Sequence, residues 1–270
     1  MDNRYVIREI MRIKTGEKQN MEDKIAREEP VTIYLNDTEL VTLMCTPEKI
    51  DYMAVGFLCS EGFLERKADI KDIRVDEEKG LVFVETYNDT SPLVEKLYGS
   101  RTITTGCGKG TTFFTAWDAL RSKPVEKKGF KVKVSYLLYL MKSLQENAEI
   151  FQETGGVHSA ALFDLQESMY FAEDVGRHNA LDKIVGMCIW QELDIKDKIL
   201  VSSGRISSEI MLKAAKLQVP VVVSRAAPTA MGLDIASEMS ITMVGFARGK
   251  RLNIYTCPER IINDAMEVVD

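Results

Sequence analysis

No C-x-x-C pair occurs in this chain, and its five cysteines, Cys45, Cys59, Cys107, Cys188 and Cys257, are odd in number and widely spaced. That excludes a secreted disulfide framework and a zinc knuckle. The paired motifs of a zinc deaminase, H-x-E and P-C-x-x-C, are also missing. His158-Ser159-Ala160 lacks the glutamate, and Val219-Pro220-Val221 is followed by no cysteine pair, so no zinc is expected. Neither a Walker A segment nor a G-x-G-x-x-G opening a βαβ unit is present. No stretch approaches the ~18 uninterrupted apolar residues of a membrane span, and Met1-Asp2-Asn3-Arg4 leads into no apolar signal core, so a cytoplasmic protein is expected. An excess of positive charge is lacking too. The net charge of −6 argues against bulk non-specific nucleic-acid binding.

What remains is an ordinary soluble composition, 45% hydrophobic and 28% charged, in a chain of 270 residues, long enough for one large domain or two modest ones. The first 28 residues are heavily charged, with two segments around Thr15-Gly16-Glu17 that could pair as strands. From Pro30 a hairpin turning at Asn36-Asp37 is expected, then a helix capped at Thr46-Pro47-Glu48 and ending at Gly62. Strands at 70–75 and 81–86 complete a small α+β unit. A short helix is expected over 113–120. The polar run Ser122–Gly129, with Pro124 and Gly129, marks a junction between a unit at 1–125 and a domain at 126–270. The second half alternates: helix 134–147, strand 169–175, helix 179–193, strand 198–201, helix 207–218, strand 219–223, helix 231–239 and a last strand pair. This predicts an α/β fold with a layered, largely parallel sheet.

The strand ends of that half share a pattern. Gly176-Arg177-His178 follows one, Ser202-Ser203-Gly204-Arg205 the next, then Ser224-Arg225, and finally Gly245-Phe246-Ala247-Arg248-Gly249-Lys250-Arg251. Ligands bind beyond the carboxyl ends of parallel strands, where helix N-termini also point. Arginines delivered repeatedly to one edge, with Ser207 and Ser208 as helix caps, describe a site for a phosphate-bearing ligand.

A second feature lies at Thr104-Thr105-Gly106-Cys107-Gly108-Lys109-Gly110. Glycines on both sides of Cys107 let a large partner approach the sulfur. Lys109 and a helix start near Phe113 would favour thiolate. The other four cysteines sit in apolar surroundings, where a core role is the default. His158 or His178 as a base for Cys107 would give a Cys-His hydrolase, but the sequence alone does not bring either to the thiol.

Three groups of residues together resemble the formate dehydrogenase accessory sulfurtransferase family, FdhD. They are Leu43–Pro47 with Val55–Gly62; Thr105-Gly106-Cys107-Gly108; and the run Gly155–Ser159, Glu173–Lys183, Ser203-Gly204-Arg205 and Phe246–Arg251. The resemblance implies an accessory protein that takes persulfide sulfur from a cysteine desulfurase and passes it to the bis(molybdopterin guanine dinucleotide) molybdenum cofactor required by formate dehydrogenase. Cys107 then matches the persulfide cysteine, and Phe246, Ala247, Arg248, Gly249, Lys250 and Arg251 match the cofactor-binding segment. Arg177, His178, Arg205 and Arg225 would add anion contacts. A cytidine-deaminase-like C-terminal domain without zinc ligands and a homodimer are further implications. One departure stands out: many members carry C-x-x-C where this chain has Gly110, so no second thiol in the loop can resolve a persulfide. Cys107 acts alone, or a remote thiol such as Cys45, Cys59 or Cys257 assists. Two rivals remain: a binding-only cofactor chaperone, and a degraded nucleotide-processing enzyme using His158 or His178.

Overall fold

The structure, a computed structural model, describes residues 3–88, 90, 102–103, 111–112, 123–126 and 129–264. Strands β1 (Tyr5–Lys14) and β2 (Glu17–Ala26) pair along their whole length as an antiparallel ribbon. It turns at Thr15 and Gly16, both at positive φ (49° and 88°), the twist that suits a two-residue hairpin. Next, β3 (Glu29–Leu35) and β4 (Thr38–Cys45) form the expected hairpin about Asn36 and Asp37. With β5 (Ile70–Asp76) and β6 (Leu81–Thr86) they make a sheet in the order β4-β3-β6-β5. Period-two alternation turns Val31, Ile33, Leu35, Val82 and Val84 to one buried face.

Helix α1 (Ile50–Glu61) packs against that face and ends on the left-handed Gly62 as expected. Its start differs from expectation. Lys49, at φ 55°, stands at the N-cap without a side-chain cap, three residues later than Thr46. Thr46 cannot cap the helix, because its hydroxyl accepts from the Val175 N–H (3.1 Å) and its own N–H donates to Asp174 (3.1 Å). The helix is apolar nearly all round, since its other side meets a second helix over Arg177–Trp190.

The C-terminal half holds a six-stranded sheet of β10 (His158–Phe163), β11 (Met169–Asp174), β12 (Ile199–Ser202), β13 (Val221–Ser224), β14 (Thr242–Arg248) and β15 (Arg251–Ile254), in the order β11-β10-β12-β13-β14-β15. It is mixed where a largely parallel sheet was expected: only β12–β13 and β13–β14 pair in parallel. The order arises because β10, in the stretch between 147 and 169 to which the sequence pattern assigns no element, is itself a strand. It lies antiparallel between β11 and β12. Helix α2 (Val134–Glu146) covers one face with Leu137, Leu140, Met141 and Leu144, against Ala161, Phe163, Ile199, Val201, Val221 and Val223. The intervening residues, Ala160, Leu162, Leu200 and Val222, face helices α4 (Arg177–Trp190), α5 (Ser208–Lys216) and α6 (Ala230–Glu238). A short α3 (Glu149–Thr154), absent from the sequence reading, lies beside the base of the ribbon. Elsewhere β9 (Val132–Lys133) pairs with β16 (Ile261–Ile262), and β7 (Thr102–Ile103) with β8 (Thr111–Thr112). The expected helix at 113–120 lies outside the described residues.

Helices α1 and α4 join the two halves. A Cβ built on Gly56 would sit 1.8 Å from the Asp182 carbonyl oxygen, and one on Gly186 would sit 1.9 Å from that of Tyr52. Only glycine at both positions allows this backbone-to-backbone crossing. One hydrophobic core consequently runs from Val31 and Ile33 of the first sheet to Leu200 and Met243 of the second. The architecture is α/β, with a β-rich N-terminal half and a layered C-terminal half.

Candidate functional site

Strands β11, β12, β13 and β14 all point the same way, because β10 is antiparallel to both of its neighbours. Their carboxyl ends therefore share one edge, joined there by the first residue of β10, His158. The segments that leave this edge are laced together through the backbone. Ser203 N–H donates to the Ser159 carbonyl (2.9 Å), Arg225 N–H to Ser202 (3.1 Å), Thr229 N–H to Ile206 (2.9 Å) and Phe246 N–H to Ala226 (3.1 Å). Serine side chains pin the same turns: Ser224 Oγ donates to the Gly204 carbonyl (2.7 Å), and Ser202 Oγ accepts from the Gly204 N–H (3.2 Å). The four arginine-bearing strand ends read from the sequence do arrive at one edge.

Arg205 and Arg225 are exposed there, as are Arg248, Gly249, Lys250 and Arg251. Among the described residues, Arg205, Arg225, Lys250 and Arg251 have no ion-pair partner. The Arg248 guanidinium lies 6.0 Å from the centre of the Phe246 ring. Strand β14 runs four residues beyond Val244, where the sequence reading ended it, and breaks register between Gly245 and Arg248. Phe246 occupies the irregular stretch at φ 51°, an uncommon conformation for an aromatic residue. The turn at Gly249 is left-handed, φ 59°. Ala247 is fully buried in the core under α2, so this position can offer a ligand only its backbone.

Arg177 and His178 open helix α4. Gly204 lies against Arg177 so closely that a Cβ would meet its side chain at 3.1 Å and His158 Nδ1 at 3.5 Å. His158 Nδ1 is 3.4 Å from Ser203 Oγ. The only two histidines of the sequence thus stand at the same edge. Burial, then the charge of Arg177, lowers the His158 pKa. Burial, followed by Lys213, Arg177 and His158, brings His178 down to about 3. Both imidazoles are neutral near pH 7 and act as hydrogen-bonding groups. His178 Nε2 lies 3.1 Å from Glu209 Oε2 without a hydrogen-bonding angle. Ser207 occupies the N-cap of α5 as expected, yet its buried hydroxyl makes no cap bond.

Beneath the edge lies a polar network that the sequence reading missed. Lys183, fully buried, donates to Asp174 Oδ2 (2.7 Å) and to the carbonyls of Glu173 (3.0 Å) and Thr46 (3.1 Å). Asp174 also accepts from Gly176 N–H (2.8 Å) and Asn179 Nδ2 (3.0 Å), and Asn179 reaches the Met44 carbonyl (2.9 Å). Three residues away from Asn179, Asp182 takes Lys213 Nζ at 2.6 and 2.5 Å and Ser60 Oγ at 2.8 Å. Glu173 accepts from the Ile150 and Phe151 N–H groups at the start of α3. Burial raises the carboxyl pKa of Glu173, Asp174 and Asp182 despite these partners. The available signal was a lysine inside an apolar helix, Leu181-Asp182-Lys183-Ile184-Val185, which is tolerated only when paired.

Cys107 lies outside the described residues, as do Lys109 and Gly110. Described residues on either side of it pair, Thr102 with Thr112 and Ile103 with Thr111. Burial pushes the thiols of Cys45 and Cys188 up to about 12 and that of Cys59 to about 11. Those three thiols are buried in the core and held protonated, and Cys257 is half-buried. Among the described residues, no group of three or more His, Cys, Asp and Glu side chains could hold a metal ion. No helix there is long and apolar enough to cross a membrane.

Residues 26–262 match the model of the FdhD/NarQ family. The chain is 42% identical to the "Sulfur carrier protein FdhD" of Bacillus subtilis over 260 residues, spanning 96% of this chain and 98% of that one. With the protein of the same description from Shouchella clausii it shares 43% over 255 residues, 94% and 96% of the two chains. Among solved structures, a candidate formate dehydrogenase accessory protein from Desulfotalea psychrophila superposes with a TM-score of 0.78 at 24% identity. That match covers 96% of this chain and 99% of the other, and it speaks to the fold.

Proposed function

From the premise that the chain belongs to the FdhD/NarQ family, we propose that it is a sulfurtransferase of molybdenum-cofactor maturation, carrying sulfur to the cofactor of formate dehydrogenase. Cys107 is the carrier. Its thiolate attacks the outer sulfur of a persulfide on a cysteine desulfurase; that S–S bond breaks, the donor cysteine leaves as thiolate, and Cys107 becomes the persulfide. The exchange needs no external oxidant or reductant. With Gly110 in place of a second loop cysteine, and with Cys45 and Cys59 held protonated in the core, the persulfide waits on Cys107 for its acceptor.

The acceptor is the bis(molybdopterin guanine dinucleotide) cofactor, bound as cargo at the strand-end edge. The observation that carries this assignment is the set of exposed cations there, Arg205, Arg225, Lys250 and Arg251, none paired with a described carboxylate. Four open cations match the charge of the cargo's two diphosphates, and arginine's planar fork suits phosphate oxygens. Phe246, Ala247, Arg248 and Gly249 frame the same edge, the first and last at positive φ. Arg177 and neutral His178 complete it. The layered sheet with helices on both faces supports the cytidine-deaminase-like reading of residues 126–270, and we keep cytoplasmic location and a homodimer as parts of the same proposal.

Intact-mass analysis after incubation with a cysteine desulfurase and cysteine tests the first half. A reductant-sensitive gain of about 32 Da, one sulfur, is expected on the wild type and not on Cys107→Ala. Equal gain on both, or none on either, would leave a binding-only chaperone as the better account.

A further inference from the structure

The β11–α4 turn presents Arg177 and His178, and Asp174 at the end of β11 holds it from within. Its remaining anchors lie in the N-terminal half of the chain. Thr46 accepts the Val175 N–H through its hydroxyl and donates its own N–H to Asp174, while its carbonyl accepts from Lys183. All three protons of Lys183 are used, on Asp174, Glu173 and Thr46. Asp174 spends its other oxygen on the turn itself, at Gly176 and Asn179. Thr46, Asp174 and Lys183 are all without solvent exposure.

Stability alone does not explain such a knot. A buried ion pair is roughly matched by apolar side chains of similar volume, whereas its directed hydrogen bonds fix a single geometry. The bonds here converge on the backbone of Val175 and Gly176, the two residues just before Arg177. We propose that Thr46, with Asp174 and Lys183, is a positioning group for the cargo edge: it holds the β11–α4 turn so that Arg177 and His178 face the anionic ligand, and it acts only through them. Thr46 also follows β4 directly, so the N-terminal sheet is what aims these two side chains. This inference rests on the cargo-edge reading above.

Thr46→Val keeps the shape of the side chain and removes the acceptor for Val175; Thr46→Ser restores the hydroxyl. Guanosine 5′-diphosphate, which carries one guanine and one diphosphate, serves as the probe, titrated calorimetrically against the full chain. Thr46→Val is expected to bind it about tenfold more weakly, as a misplaced binding group does, while Thr46→Ser binds as the wild type. Both should accept one sulfur on Cys107 from a desulfurase at the wild-type rate. If Thr46→Val does not fold, Asp174→Asn/Lys183→Met, which removes both charges together, is expected to show the same weakening. Wild-type affinity in a folded Thr46→Val overturns the inference; so does an equal loss of affinity and of sulfur loading, which would mark general loosening. Arg205→Ala/Arg225→Ala serves as the separate control. If it binds the probe as the wild type does, or if the wild type does not bind at all, the edge reading falls and takes this inference with it. A weakened arginine variant beside an unaffected Thr46→Val refutes the positioning role alone.

Discussion

Two sets of cations belong to the C-terminal half of the chain, and they are treated in opposite ways. Lys183 and Lys213 are buried, each within 2.7 Å of an aspartate; the Thr46 carbonyl also accepts from Lys183, and the Ser60 hydroxyl donates to Asp182. Arg205, Arg225, Lys250 and Arg251 are exposed and have no ion-pair partner among the described residues. Water is the reason for the difference. A charge withdrawn from solvent must find an opposite charge or lose its proton, whereas an exposed one is hydrated and stays open to an anion. The lower layer therefore contributes a fixed geometry and the upper layer contributes binding, so substitutions in the two should separate stability from function.

The largest effect on stability should come from halving a buried pair. Lys213→Met leaves Asp182 buried with Ser60 as its remaining side-chain partner and is expected to cost about 3–5 kcal/mol in urea unfolding; Lys213→Met/Asp182→Leu should recover most of that loss. If the single variant unfolds like the wild type, the contrast between the layers fails. Next comes the helix crossing. Gly56→Ala places a methyl 1.8 Å from a backbone oxygen that cannot swing aside. Separating α1 from α4 should cost about 1–3 kcal/mol, seen as a lowered Tm.

How far the sequence showed these layers depended on whether a signal was local. The hairpins at Thr15-Gly16 and Asn36-Asp37, and the helices after 134, 179, 207 and 231, follow from turn residues and periodicity, and they form within a few residues of expectation. The cationic strand ends were legible because strands alternating with helices bring successive ends to one edge. What was hidden depended on contacts far apart in the chain. Thr46 reads as a helix cap until Val175 and Asp174, some 128 residues on, claim its polar atoms. Gly56 and Gly186 read as isolated glycines in apolar helices until the two helices cross at them. Strand β10 disguised itself as an unassigned apolar run because it is buried on both faces, which removes the alternation that marks a strand.

Acid offers an intermediate test, because His178 stands between the layers. Its folded-state pKa, about 3, is far below the ordinary value of 6.5. The neutral imidazole therefore contributes stability that is fully present above pH 6.5 and is lost as the pH falls toward 3, since the unfolded chain takes up the proton first. His158 acts in the same direction. The raised carboxyls of Glu173, Asp174 and Asp182 act in the opposite one, so the readout is the difference between wild type and His178→Gln. Between pH 6.5 and 5 the wild type should lose about 1–2 kcal/mol more than the variant, from a limit of about 1.4 kcal/mol per pH unit for one group. Parallel stability curves would mean that His178 is not kept neutral by its surroundings.

The smallest effect on stability belongs to the upper layer, and there it should coincide with a large effect on binding. Arg205→Ala, Arg225→Ala and Arg251→Ala each remove an exposed guanidinium with no described ion-pair partner, so each should stay within about 0.5 kcal/mol of the wild type in urea. Any repulsion among the four cations is relieved by the same change, so a slight gain in stability is the favoured sign. Binding should respond differently. Each arginine supplies charge-assisted bonds to phosphate, so affinity for a nucleoside diphosphate should drop with each removal, and the dependence of affinity on salt should become shallower because fewer ionic contacts remain. Lys250→Ala, removing a point charge without a fork, should weaken binding less than Arg251→Ala beside it. An arginine variant that loses stability as Lys213→Met does, or one whose affinity keeps the wild-type salt dependence, would show that the edge is part of the fold's own ion pairing after all. The separation of the two layers would then have to be given up.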